Sequence, residues 1–214
     1  MKVAAPIPGG PGLREEVGRH LPESGRIIRR RPLPRTTVFL DRDGVLVEDV
    51  HFLDHPDRLR LLPGVAEALR RLQARFALVV VTNQSGLARG RFTLETLRAI
   101  HERLEERLAA ADAFLDAVYF CPHLPEAPVA AYRARCACRK PRPGLLERAA
   151  REWDLDLSRS FMVGDAARDV EAGTAAGARG VRIGAEPDPA AATVVPDLAA
   201  AADWILSAEG DRRG

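Results

Sequence analysis

Two aspartates one residue apart end an apolar run, Thr37-Val38-Phe39-Leu40-Asp41-Arg42-Asp43-Gly44. Two carboxylates aimed at one place repel each other unless a cation or a proton sits between them. Further along, Thr82-Asn83, Lys140 and Asp165 stand where other apolar runs stop or just before a helical pattern begins. The set is three carboxylates, a hydroxyl and an ammonium. Hard carboxylate oxygens around an open position suit Mg²⁺, which keeps waters and takes substrate phosphate. Thr82 and Lys140 are candidates for holding phosphate oxygens, because phosphoryl transfer depends on positioning and on neutralising charge.

A second constellation uses every cysteine of the chain: Cys121-Pro122-His123, twelve residues, then Cys136-Ala137-Cys138. Three thiolates and an imidazole make a four-ligand set for tetrahedral Zn²⁺. With all four positions filled by protein, that metal is expected to be structural. It would pin residues 121–140 and so set where Arg139 and Lys140 point.

These residues need a scaffold that brings distant segments to one edge. Residues 37–41 predict a buried strand, and so do 76–81, 114–120, 161–163 and 180–183. Val65, Leu69 and Leu72 recur at helical spacing, as do Leu94, Leu97, Ile100, Leu104 and Leu108 after a Thr93 N-cap. Pro143-Gly144 opens a third helix, 168–176 forms a fourth, and a fifth lies near 197–207. Strands alternating with helices predict an α/β, three-layer doubly wound parallel sheet, whose strand ends share one edge. If the strand stays extended past residue 41, Asp41 and Asp43 share a face.

Length and charge narrow the classes. At 214 residues, 46% hydrophobic and with a formal net charge of +2, the chain builds one good core and shows no polyelectrolyte signature. No apolar run approaches the ~20 residues that span a bilayer, and residues 1–12 are Pro/Gly-rich without a secretory apolar core. A cytoplasmic, monomeric protein is expected, with no nucleic-acid or membrane partner. Residues 1–35 read as a flexible extension, with a turn or two of helix at 13–21 and a solvated cluster of Arg26, Arg29, Arg30, Arg31 and Arg35. Residues 36–208 read as the folded domain and 209–214 as a frayed end.

Taken in order, Asp41-x-Asp43-Gly44, Thr82-Asn83, Lys140 and Gly164-Asp165-x-x-x-Asp169 resemble the four motifs of the haloacid dehalogenase superfamily. The resemblance implies a nucleophilic Asp41 that forms an aspartyl-phosphate, and Asp43 as the acid that protonates the leaving oxygen and then activates water. It also implies Mg²⁺ held by Asp41, Asp165 and the main-chain carbonyl of Asp43. Asp169 is left between an outer-sphere role, a partner for Lys140 and a helix cap. The aspartate at 43 separates phosphatases of this fold from its transport ATPases and dehalogenases. No insertion is large enough for a cap domain, so a flap at 44–62 and the zinc loop should close over a small substrate.

The narrower phrase Cys121-Pro122-His123-Leu124-Pro125…Cys136-Ala137-Cys138-Arg139-Lys140-Pro141, with Thr82-Asn83-Gln84-Ser85-Gly86-Leu87-Ala88-Arg89-Gly90, resembles the D-glycero-D-manno-heptose 1,7-bisphosphate 7-phosphatases. That implies removal of the 7-phosphate in nucleotide-activated heptose biosynthesis. The alternatives are a histidinol-phosphate phosphatase and, further off, a nucleic-acid end phosphatase or a catalytically dead zinc-stabilised interaction module. Ser85 and Ala88-Arg89-Gly90 lean to the heptose branch. Thr82, Asn83, Arg89, Arg139 and Lys140 are the expected substrate contacts, whereas Arg91 and Arg142 read as solvated surface. The flap departs from the heptose pattern: His51-Phe52 stands where an aromatic–valine pair is common, leaving anomer preference open.

Overall fold

In the computed structural model, residues 20–21, 25–27 and 34–210 are described. Among them an eight-stranded sheet runs β1(His20–Leu21), β2(Gly25–Ile27), β3(Thr37–Leu40), β4(Ala77–Asn83), β5(Ala117–Cys121), β6(Phe161–Gly164), β7(Arg179–Ile183) and β8(Thr193–Val195) in chain order. In space the order is β1-β2-β5-β4-β3-β6-β7-β8. The six strands from β5 to β8 in that row pair in parallel, and β1 and β2 extend the β5 edge antiparallel.

Alternation along the strands splits the core in two. Val38 and Leu40 of β3, with Leu78 and Val80 of β4, face α1(Val65–Leu72), α2(Leu94–Ala109) and α5(Leu198–Gly210). Phe39, Val79 and Val81 face the opposite side, with α3(Gly144–Trp153) and α4(Ala167–Ala175). Buried on both faces, β3 and β4 read as unbroken apolar runs, which is why they were recognisable. The expected three-layer doubly wound sheet is the architecture found, and no further folded unit follows β3 or β5 among the described residues.

Several expectations change in detail. Residues 20–21, placed in a helical turn by the sequence, are a strand, and 25–27 is another inside the expected flexible extension; 13–19 and 29–31 lie outside the described residues. Two- and three-residue strands have no periodicity of their own and exist through pairing, β2 with β5 and β1 with β2. Arg35, read as part of a solvated cluster, is exposed as expected and in addition pairs with the exposed Asp154 at 3.3 Å. Glu209, expected in a frayed end, is buried in α5 with its carboxylate on Arg159 at 2.7 Å. The flap is fastened across its base: Glu48 N–H donates to the Arg60 carbonyl (3.0 Å) and Leu62 N–H to that of Leu46 (3.0 Å).

Candidate active site

The sheet brings the site residues together because β4, β3 and β6 are neighbours running the same way. Their carboxyl ends deliver Thr82 and Asn83, then Asp41, then Asp165. Past Leu40 the chain does not stay extended. The Arg42 carbonyl accepts from Leu46 and Val47 N–H (2.9 and 3.1 Å), and Gly44 N–H donates to Val47 (2.8 Å). Asp41 and Asp43 thus reach one pocket by a tight turn and not by strand alternation. Gly44 makes that turn with φ 75°, and any side chain there would overlap the Asp165 carboxylate. Gly164 is equally constrained, since a Cβ would run into Asp169.

Lys140 lies behind Asp41, with no side-chain exposure. Its ammonium meets Asp41 Oδ2 at 2.9 Å, Asp169 Oδ1 at 2.7 Å and the Val81 carbonyl at 2.7 Å. In this arrangement Lys140 balances Asp41 from behind and does not line the pocket. Burial alone would favour the neutral amine, but the charges of Asp41 and Asp169 overcome it and raise the Lys140 pKa. Burial likewise works against an ionised Asp41, yet the Lys140 charge and hydrogen bonds from Lys140, Thr82 and the Arg42 N–H hold it low. An ionised Asp41 is what in-line attack requires.

Asp41, Asp165 and Asp169 each offer an oxygen within 4.8 Å of the others. Against three carboxylates stands one buried ammonium, leaving an excess of negative charge that a divalent cation would balance. Asp165 shows the imbalance. Desolvation, then repulsion from Asp41 and Asp169, pushes its pKa up to about 6, and its buried Oδ1 has no hydrogen-bond partner among the described residues. Asp169 is committed to Lys140, and its Oδ2 accepts from Ala166 N–H at 3.0 Å, capping α4. Of the three readings left open for Asp169, the structure shows the cap and the Lys140 partner.

Asp43 is gripped by residues the sequence did not single out. Buried Arg42 donates from Nε to Oδ1 (3.0 Å) and from Nη2 to both oxygens (2.8 Å each), and its Nη2 also reaches Gln84 Oε1 at 3.1 Å. His101, buried on α2, lies 3.4 Å from Arg42 Nη1. Gln84 Nε2 donates to Asp43 Oδ2 (2.9 Å) and to Thr82 Oγ1 (3.1 Å), tying the expected acid to the expected phosphate site. A buried arginine between two aspartates is detectable only once burial is known; Gln84 had no signal beyond its place after Thr82-Asn83.

Above these residues opens a pocket of about 500 Å³. It is lined by Asp41, Arg42 and Asp43, by Asp49 to Leu53 of the flap except Val50, by Thr82 to Gly86, and by Arg89, Arg91, Arg139 and Arg168. Arg91, read as surface, lines it; Arg142 does not, and donates to the Cys136 carbonyl at 2.6 Å. Arg168, in the first turn of α4, had not been anticipated. Asn83 lines the pocket, but its amide is taken up by the Lys140 main chain, with 3.1 Å bonds in both directions. It positions Lys140.

Cys121, His123, Cys136 and Cys138 converge as their spacing implied, with ligand atoms all within 4.8 Å of one another. Cys121 Sγ is 3.5 Å from Cys136 Sγ, and His123 Nδ1 is 3.4 Å from Cys138 Sγ. Hydrogen bonding from Cys121 outweighs burial and draws Cys138 down to about 5, so one thiolate forms readily. This soft N/S set fits Zn²⁺. The loop reaches the pocket through Arg139, whose Nη1 donates to the His123 carbonyl at 3.4 Å. Neither His51 nor His55 belongs to a metal-ligating cluster among the described residues, and no helix there is long and apolar enough to cross a membrane.

Comparison with known proteins agrees with this picture. A family model described as HAD-hydrolase-like matches residues 137–201. The D-glycero-beta-D-manno-heptose-1,7-bisphosphate 7-phosphatase of Rhodopseudomonas palustris is 44% identical over 153 residues, 71% of this chain and 85% of the relative. The D-glycero-D-manno-heptose-1,7-bisphosphate 7-phosphatase of Thermosynechococcus vestitus is 44% identical over 195 residues, 82% of this chain and 97% of the relative. The crystal structure of D,D-heptose 1,7-bisphosphate phosphatase from B. bronchiseptica, complexed with magnesium and phosphate, superposes with a TM-score of 0.71 at 39% identity. It covers 81% of this chain and 99% of its own.

Proposed function

This chain belongs to the family of D-glycero-D-manno-heptose-1,7-bisphosphate 7-phosphatases within the haloacid dehalogenase-like hydrolases, and we propose that it hydrolyses the 7-phosphate of D-glycero-D-manno-heptose 1,7-bisphosphate. Asp41 attacks phosphorus in line and forms an aspartyl-phosphate, while Lys140 holds its carboxylate ionised. Asp43 protonates the departing sugar oxygen and then takes a proton from the water that frees phosphate. Thr82 holds a phosphoryl oxygen, and Gln84 keeps Asp43 in register with Thr82. Asp41, Asp165 and the Asp43 carbonyl would hold Mg²⁺. When bound, the ion neutralises charge on the transferring phosphoryl group. Cys121, His123, Cys136 and Cys138 would hold a structural Zn²⁺ that orients Arg139. Arg89 and Arg139, which line the pocket, would hold the second phosphate. The setting is the cytoplasm, the enzyme a monomer and the substrate a small sugar phosphate.

The observation that carries this reading is the meeting of Asp41, Asp165, Asp169 and Lys140 beside a pocket edged with arginines. Specificity constants measured side by side on heptose 1,7-bisphosphate and histidinol phosphate test it. A clear preference for the bisphosphate is expected; preference for histidinol phosphate would assign the chain to the other branch.

A further inference from the structure

One polar residue interrupts the apolar stripe of α2. Leu97, Ile100, Leu104 and Leu108 are buried at helical spacing, and His101, one turn past Leu97, is buried among them with 3% exposure. An imidazole in such a place needs hydrogen bonds to offset its lost hydration. Its Nε2 stands 3.4 Å from Nη1 of Arg42, the buried residue between the two aspartates of the site. A guanidinium only donates, so the imidazole nitrogen facing it carries the lone pair and the ring proton lies on Nδ1. Phe120 of β5 flanks the imidazole, ring centroids 6.0 Å apart.

The rest of the guanidinium is committed to Asp43. Nε and Nη2 meet that carboxylate as a fork at 2.8 to 3.0 Å, and Nη2 also reaches Gln84 Oε1 at 3.1 Å. Turning this planar group out of its plane would take both donors off Asp43 together. Gln84 opposes that turn at one nitrogen, and His101, fixed on a sixteen-residue helix, opposes it at the other. We propose that His101 is a positioning residue for the proton-transfer step: by accepting from Arg42 Nη1 it sets the plane of the guanidinium and, through it, the direction in which Asp43 presents its carboxyl to the departing oxygen. The proposal rests on the phosphatase reading above and deepens it. His101 does not line the pocket, so its replacement reaches the chemistry only through Arg42 and Asp43 or through the fold as a whole.

Those two routes separate by leaving group. A sugar oxygen needs a proton to depart, whereas p-nitrophenolate leaves without one. The test measures kcat/KM for heptose 1,7-bisphosphate and for p-nitrophenyl phosphate in the wild type, His101→Leu and His101→Gln, with melting temperature alongside. His101→Leu keeps the apolar packing and removes the acceptor; its kcat/KM should fall about tenfold on the sugar phosphate and stay within about twofold on the aryl phosphate. His101→Gln restores an acceptor oxygen at the reach of Nε2 and should bring the sugar phosphate back to within about threefold of the wild type. Should His101→Leu not fold, His101→Asn, whose oxygen stops one methylene short, takes its place with the same expectation. Equal losses on the two esters, no loss beyond about twofold on the sugar phosphate, or a glutamine variant no better than the leucine or asparagine one each overturn the proposal. Failure of the phosphatase reading looks different: the wild type would then release phosphate from neither ester, which overturns the positioning role as well.

Discussion

A carboxyl whose pKa is pushed up to about 6 keeps its proton where its cation should sit, and Asp165 is such a group. Its folded pKa lies above its ordinary 3.8, so between those values the metal-free folded protein binds more protons than the unfolded chain. Stability of the metal-free protein should therefore fall as pH rises through that window. Mg²⁺ replaces the proton, so the rise in melting temperature on adding Mg²⁺ should be larger at pH 7 than at pH 5. Equal rises would remove Asp165 from the ligand set. Gln84 bears on a different step. Replacing it with leucine leaves Asp43 on Arg42 alone, and kcat should drop about tenfold or more with a smaller change in KM. Steady-state kinetics on the bisphosphate reads both constants. Asp41 and Asp165 were legible in the sequence because a carboxylate is wrong for the end of a buried strand unless it does chemistry, and Asp43 and Lys140 because they complete the motifs the chain resembles. Arg42 and Gln84 were not, because an arginine or glutamine has the same letter on a solvated face and in a buried network; nor were Arg91 and Arg168, which stay exposed and line the pocket only because of where the fold sets them.

Among the elements, the cysteine loop links the pocket to α3. It carries Arg139 to the pocket, and Gly144 N–H donates to the Ala137 carbonyl at 3.1 Å, joining the loop to the start of α3. Cys136→Ser should lower bound zinc well below one equivalent by mass spectrometry. It should also reduce the melting temperature by about 5–10 °C, since structural zinc contributes folding free energy directly. A pure, active wild type without near-stoichiometric zinc would count against the site. Strands β3, β4, β5 and β6 were readable from apolar runs and their abrupt polar ends. β8 was not, because Thr193–Val195 is half-buried and follows a Pro/Ala stretch that reads as a loop. It becomes a strand through its parallel pairing with β7.

At the scale of the molecule, the doubly wound topology turns four separated sequence words into one site. Parallel β4, β3 and β6 put their carboxyl ends side by side, and the two loops that follow β3 and β5 contribute Phe52 and Arg139 to the pocket wall. The order of motifs was visible in the chain. The pocket's shape and its second ring of arginines were not, because they depend on which loops meet in space. The central claim is that Asp41 takes the phosphoryl group. Mg²⁺-dependent phosphate release from heptose 1,7-bisphosphate should therefore be measured for Asp41→Asn, with melting temperature and zinc content as checks on the fold. Release at background level with the fold and zinc retained is the predicted result; appreciable turnover by that variant would contradict the account.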